Sequence, residues 1–234
     1  MSAGAAGVLG WFASRSRVLL REKLRITASL TVLWAALWYV VPRHATSAVH
    51  VLPFTALEAR LPFVESFVYA YLSLCLFMPL GAWLAVSPGL LRRHAGGFLA
   101  VTLTAFACFI VYPVEVPAPT AAPTTLLYGL LLHDTRLNAL PSLHAAYTGY
   151  AWLAWRHLLP DIAGRRARRA VAALVTGWAL LILASILLIK QHYLVDVVAG
   201  LVLAAGAHVL WLGRWAEAPR LVVPSIDPHV EVRT

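Results

Sequence analysis

The feature that most constrains this chain is a succession of long apolar segments. A helix needs about 20 mostly apolar residues to cross the hydrocarbon core of a bilayer. Of the 234 residues, 61% are hydrophobic and only 12% are charged, with a mean hydropathy of +0.76. A soluble domain carries roughly twice that share of charged residues. The sequence therefore predicts an all-α membrane domain of six spanning helices, over 26–42, 67–87, 96–113, 141–159, 170–189 and 192–213.

The spans divide the chain into three parts. We expect a basic N-terminal segment at 1–25, one six-helix membrane domain at 26–213 and a tail at 214–234. Proline and glycine clusters lie between the spans, as is usual for turns. The stretch 123–133 is apolar but too short to span, which predicts a short interfacial or re-entrant helix.

Positive charge is spread unevenly between the two ends of the predicted bundle. The formal net charge is +9, and 15 of the 19 Lys and Arg residues fall in the N-terminal segment, alternate loops and the tail. The other four, on the opposite side, are Arg43, Arg60, Arg136 and Lys190. Since Lys and Arg are in excess on the cytoplasmic side, both termini are predicted to be cytoplasmic. We expect residence in the cell (plasma) membrane and no nucleic-acid partner.

Two short polar segments lie on the cation-poor side, at the starts of the fourth and sixth spans. The first runs from Asn138 to His144 and the second from Lys190 to Asp196. Because one hairpin of two spans separates them, both helix starts return to the same membrane face. The sequence thus predicts a single extracytoplasmic site.

In the second segment, His192 and Asp196 are four residues apart and are predicted to share one helical face. The carboxylate is then able to accept a hydrogen bond from one ring nitrogen. That bond fixes the tautomer and makes the other nitrogen a better nucleophile. Lys190 adds a positive charge close to His192.

In the first segment, Pro141 and Ser142 have the pattern of a helix start. A helix N-terminus with free N–H groups favours phosphate, and His144 is placed to face the same anion as a general acid. Arg136 and Asn138 are expected to shape the pocket. This set describes phosphoryl transfer with no cofactor and no obligatory metal, in which His192 forms a phosphohistidine and His144 protonates the leaving alkoxide.

These segments resemble the type 2 phosphatidic acid phosphatase (PAP2) superfamily of membrane lipid phosphatases and phosphotransferases. Its second motif is Pro-Ser-Gly-His, and residues 141–144 read Pro-Ser-Leu-His. Its third motif is matched in spacing by Ser185, His192 and Asp196. The resemblance implies a six-helix membrane fold of the acid phosphatase type, catalysis by His192, His144 and Asp196, and a lipid phosphate or phospholipid substrate.

The chain departs from the superfamily pattern at two of the usual phosphate-binding cations. Ile186 replaces the arginine of the third motif, and the first motif has no match. Two motifs, Pro-Ser-Leu-His at 141–144 and His-Tyr-x-x-Asp at 192–196, are similar to those of the inositol phosphorylceramide synthase branch of the superfamily. Enzymes of that branch transfer a phosphoinositol head group between lipids.

Three alternatives stay open from the sequence. The acceptor is either water, which gives a phosphatase, or a lipid alcohol, which gives a transferase. A non-catalytic transporter or scaffold would use the intramembrane His and Asp as a proton path. A metal site built from His144, His192 and Asp196 is the third possibility.

Overall fold

The computed structural model describes residues 2–41, 47–119, 122–132, 136–162 and 164–213. The predicted tail and Arg43 lie outside these described residues. The helices are α1 (Ser2–Arg17), α2 (Leu20–Val40), α3 (Ala56–Arg60), α4 (Val68–Leu72), α5 (Leu74–Trp83), α6 (Pro88–Val111), α7 (Leu126–Leu132), α8 (Leu143–Trp155), α9 (Arg165–Leu188) and α10 (Leu194–Trp211). Short 3₁₀ turns cover Glu65–Phe67 and Leu159–Asp161, and the two strands are β1 (His50–Val51) and β2 (Val114–Glu115).

Four helical segments in the described part of the chain are long and apolar enough to cross a membrane. They are Glu65–Trp83, which joins a 3₁₀ turn to α4 and α5, and the helices α6, α9 and α10. These match the second, third, fifth and sixth predicted spans. The prediction of a mainly helical membrane protein is therefore confirmed.

The other two predicted spans differ from expectation. Helix α2 starts at Leu20 rather than at residue 26, so its first turns carry basic residues that lower its hydropathy. Helix α8 ends at Trp155. It is therefore shorter than the membrane-spanning helix predicted over 141–159. At 13 residues it is about 20 Å long, well short of the roughly 30 Å of a hydrocarbon core. A turn and the Pro160-containing 3₁₀ segment replace the missing helix.

Helix α8 instead forms the centre of the bundle, and α10 packs closely along it. Most of its side chains are buried. A Cβ on Gly200 of α10 would lie 2.4 Å from the backbone oxygen of Ser142, and one on Gly149 would lie 2.9 Å from Leu201 Cδ2. Glycine at position 200 therefore lets the start of α8 approach the backbone of α10, and glycine at position 149 leaves room for the Leu201 side chain.

The charged connections gather at one end of the bundle. Arg15 Nη2 lies 2.8 Å from Asp161 Oδ2, and Arg15 Nε donates to the carbonyl of Leu84. Arg92 Nε lies 3.0 Å from Glu22 Oε1. The N-terminal helices, the α5–α6 connection and the α8–α9 connection thus share one end, as the charge distribution predicts.

The opposite end is closed by a small parallel ribbon. Strand β1 pairs with β2, with His50 opposite Val114. Asn138 extends this pairing through a bridge to Val114. The ribbon fixes the chain that leads into α8.

We expect Gly200→Ala to lower stability, because the new methyl would meet a backbone oxygen that cannot move independently. Overpacking of this kind costs about 1–3 kcal/mol. The matched control is Gly206→Ala in the same helix, where nothing lies within 4 Å of the added Cβ. Thermal unfolding in detergent should show a lower Tm for Gly200→Ala and an unchanged or higher Tm for Gly206→Ala. Equal Tm values would contradict the close packing of α8 and α10.

Candidate active site

The two polar segments meet through backbone hydrogen bonds. The N–H of Ser142 donates to the backbone carbonyl of Asp196 at 2.9 Å. Ser142 is the N-cap of α8, and its Oγ accepts the N–H of Ala145 at 3.3 Å. Its side chain is fully buried. Ser142 therefore starts the helix as predicted. Its hydroxyl caps α8, and its backbone N–H joins α8 to α10.

The imidazole of His192 is held by the neighbouring segment. His192 lies just before α10, whose first residue is Leu194, so the expected shared helical face with Asp196 is wrong. His192 Nδ1 lies 2.9 Å from the carbonyl oxygen of Ala139. A carbonyl only accepts, so Nδ1 carries the proton and Nε2 keeps its lone pair. Ala139, rather than Asp196, is the acceptor that sets the tautomer.

Asp196 supports His192 by its charge. Its Oδ2 lies 3.5 Å from His192 Nδ1 and accepts the N–H of Tyr193 at 2.8 Å. The residue is fully buried, and Oδ1 has no hydrogen-bond partner in the described part of the chain. A carboxylate in the first turn of a helix is favourable. Here the carboxylate also lies within ion-pair distance of the imidazole.

His144 faces His192 across the site. The two ring centroids lie 6.4 Å apart. The face of His144 stacks on Tyr71 of α4, with centroids 3.7 Å apart and planes 17° from parallel. This stacking fixes the plane of the imidazole. Tyr71 lies in an apolar span and matches no motif, so the sequence offered no signal for it.

A small cavity of about 20 Å³ opens between the two histidines. Of the predicted site residues, His144, His192, Arg136 and Asn138 line it, and Tyr71 and Gln191 complete its polar wall. A volume of this size holds about one water molecule. Both imidazoles therefore border the same small space.

Arg136 brings a cation to this cavity. Its Nε donates to the carbonyl of Val116 at 2.7 Å, and Nη2 donates to the carbonyl of Lys190 at 3.2 Å. Nη1 is buried and has no hydrogen-bond partner among the described residues. Burial lowers the pKa of Arg136, but a guanidinium stays charged at neutral pH. One donor of a fixed cation is thus free to bind an anion.

Lys190 does not serve as predicted. Its Nζ donates to the carbonyls of Glu58 and Leu61, at 2.9 and 2.8 Å. These carbonyls lie at the end of α3, and Lys190 is not among the residues that line the cavity. The ammonium group therefore stabilises a helix C-terminus, where positive charge is favoured.

Glu58 is a buried acid that sequence reasoning missed. Its carboxylate accepts the N–H of Leu194, the first residue of α10, and also bonds Thr55. Burial would raise the pKa of Glu58, but these hydrogen bonds and the charge of Lys190 hold it below its usual value. The signal was present in the sequence, since Thr55 and Glu58 have the spacing of a capping box.

The described residues include no group of three or more His, Cys, Asp or Glu side chains placed to share a metal ion.

The position of Lys190 predicts a structural effect. Replacing it with glutamine removes two charge-assisted hydrogen bonds to carbonyls, and we expect a loss of about 2 kcal/mol in the free energy of unfolding. Arg60→Gln is the matched control, because Arg60 is an exposed cation on α3. Thermal unfolding in detergent measures both variants. A Lys190→Gln protein as stable as Arg60→Gln would show that the contacts to Glu58 and Leu61 contribute little.

Comparison with known proteins agrees with the geometry of the site. The family model described as the PAP2 superfamily matches residues 44–210, which covers both histidine segments. No curated protein and no solved structure matches this chain. The match spans well over half of the sequence and confirms the resemblance at the level of the superfamily. Together with the four apolar helices of the described residues, it shows that the chain belongs to the PAP2 superfamily and is a membrane protein of the phosphatase type.

Proposed function

We propose that this protein is a lipid phosphatase or phosphotransferase that works through a phosphohistidine on a lipid phosphate or phosphodiester. One observation carries the proposal. Two imidazoles face one cavity, and the Nδ1 of His192 is occupied by a backbone carbonyl, which leaves Nε2 as the free nucleophile. Membership of a superfamily of phosphatase-type enzymes supports the same chemistry.

In the first half-reaction, His192 Nε2 attacks phosphorus and a P–N bond forms. The P–O bond to the lipid breaks, and its oxygen takes a proton from protonated His144. The imidazole of His192 becomes positively charged, and the buried carboxylate of Asp196 stabilises that charge from 3.5 Å. The products of this step are a lipid alcohol and the phosphoenzyme.

In the second half-reaction, neutral His144 takes a proton from the acceptor, which is water or a lipid alcohol. The acceptor oxygen forms a new P–O bond and the P–N bond breaks. His192 regains its lone pair and His144 its proton, so the enzyme returns to its starting state. Arg136 lines the cavity, and its buried Nη1, which has no hydrogen-bond partner among the described residues, would supply a fixed donor for charge on the phosphate oxygens.

The membrane arrangement belongs to the same proposal. We place six spans in the plasma membrane, with α2 and the α8 segment as the first and fourth. Both termini lie in the cytoplasm and the cavity opens at the extracytoplasmic face. The support is the excess of cations at the end opposite the cavity.

A narrower candidate within this class is head-group transfer like that of inositol phosphorylceramide synthases. The motif Pro-Ser-Leu-His favours it, because Leu143 stands where the superfamily motif has glycine and its side chain lines the cavity. An apolar side chain at this position of an otherwise polar cavity suits a lipid alcohol as the acceptor better than glycine would. Product analysis with phosphatidic acid, and with phosphatidylinositol plus ceramide or diacylglycerol, distinguishes free phosphate from a transferred head group.

The central test is His192→Ala. Without the nucleophile, we expect loss of turnover of lipid phosphates and phosphodiesters by about 10³-fold or more. Rapid acid-free quenching with a ³²P-labelled substrate should trap a labelled protein for the natural chain and none for the variant. His157→Ala is a matched control, since His157 contacts His208 and neither residue lines the cavity. Unchanged turnover in His192→Ala would refute the mechanism, and no turnover of any such substrate by the natural chain would favour a transporter or scaffold.

The stacking of Tyr71 on His144 makes a second prediction. Tyr71→Leu frees the imidazole to rotate, which impairs proton donation to an alkoxide leaving group but not the departure of p-nitrophenolate. We expect kcat/KM for an alkyl phosphate to fall about tenfold further than for p-nitrophenyl phosphate.

Tyr71→Phe keeps the ring face, so this selectivity should stay close to that of the natural chain. His144→Ala should show the same leaving-group selectivity as Tyr71→Leu, only larger. An equal fall for both esters in Tyr71→Leu would mean that Tyr71 only supports the fold.

A further inference from the structure

Helix α7 presents an apolar face that the described residues leave exposed. Its seven residues are all apolar or small, and at about 10 Å the helix is too short to span a bilayer. Leu126 is 79% exposed and Leu130 is 58% exposed. One helical turn separates them, so they form one outward face, which Leu127 extends. A concentrated exposed apolar face marks an interaction surface.

The helix is held firmly at its start. The carboxylate of Glu65 accepts hydrogen bonds from the N–H groups of Thr124 and Thr125, at 2.9 and 2.6 Å, and from both hydroxyls. Glu65 lies in the 3₁₀ turn that opens the adjoining span. The exposed face is therefore a fixed feature of the fold.

The inner face of α7 touches the wall of the active site. The Tyr128 ring is fully buried, and its hydroxyl donates to the carbonyl of Ile189 at 3.4 Å. Tyr128 belongs to the same buried cluster as Tyr71, whose ring stacks on His144. Tyr128 thus connects α7 to the buried cluster that includes Tyr71, a residue of the cavity wall.

The exposed face also continues the surface of a spanning segment. Helix α7 packs against α4, and the segment that contains α4 and α5 exposes Tyr69 and Leu76. An apolar surface that continues a span faces acyl chains. The cation-free composition of α7 suits the same surroundings.

We propose that α7 lies in the edge of the bilayer and forms the surface on which the acyl chains of the lipid substrate rest while its head group enters the cavity. The kinetic part of this inference rests on the proposed function, whereas the position of α7 does not. Leu126, Leu127 and Leu130 contact the chains, and Tyr128 separates them from the phosphate site. The Glu65 carboxylate keeps the helix at this level.

Spin labels test the position of α7 without any assay of activity. Cysteine replaces Leu126 or Leu130 in the full chain, with Cys75 and Cys108 changed to alanine, in phosphatidylcholine–phosphatidylglycerol vesicles. We expect labels at both sites to be reached by oxygen more than by a nickel chelate, as at Leu76 and unlike a label at the exposed loop residue Ala118. Nickel accessibility equal to that at Ala118, or dipolar broadening from a second copy of the chain, would overturn the proposal.

Kinetics test the contact with acyl chains. We expect the double variant Leu126→Asn/Leu130→Asn to raise KM about fivefold for dioleoyl substrates and to leave kcat unchanged. The probes are phosphatidic acid and phosphatidylinositol, each with dioleoyl and dihexanoyl chains. For dihexanoyl substrates, whose chains are too short to cover α7, KM should not change.

The control is Leu9→Asn, which alters an equally exposed leucine in α1. If the double variant raised KM equally for both chain lengths and its turnover still depended on His192, the acyl-chain surface would be refuted and the proposed function would not. If the natural chain turned over none of these substrates, the proposed function itself would be refuted.

Discussion

The active site depends on one close backbone contact, between the start of α8 and the first turns of α10. Gly200 removes the side chain that would block it, and the N–H of Ser142 then reaches the carbonyl of Asp196 at 2.9 Å. His144 follows Ser142 by two residues, and His192 precedes Asp196 by four. The contact therefore sets the separation of the two imidazoles. A side chain at position 200 would push α8 away from α10 and so change the distance between the two imidazoles.

The charged groups around the site are bound mainly by backbone atoms. Lys190 bonds two carbonyls, Glu58 accepts the N–H of Leu194, Arg136 bonds two carbonyls and Asp196 accepts the N–H of Tyr193. Backbone partners do not rotate away, so each charge has one fixed position. Fixed charges need little reorganisation when a reaction develops new charge. A protein that lacks two of its superfamily's usual phosphate-binding cations gains most from this rigidity.

The sequence predicted the features that depend on local patterns. The N-cap at Ser142, most of the long apolar helices and the convergence of two polar segments all follow from spacing and hydropathy. The sequence did not predict the features that are determined by tertiary contacts. Nothing local shows that the Lys190 side chain bonds the end of α3, or that α8 ends after 13 residues, ahead of a turn and a 3₁₀ segment. The role of Tyr71 could not be predicted, because its stacking partner His144 lies four helices later in the chain and the contact produces no local sequence pattern.

The relation between His192 and Asp196 shows how a correct motif produces an incorrect geometry. Four-residue spacing predicts a shared helical face, but α10 begins after His192, so the imidazole turns toward the preceding segment and meets Ala139. That carbonyl is in place because the N–H of Ala139 donates to Val114 in β2 at 3.2 Å. The imidazole of His192 is therefore oriented by a short ribbon, and Asp196 interacts with it through its charge. The full burial of Asp196 fits this arrangement, because the electrostatic interaction between two groups 3.5 Å apart is stronger where water is excluded.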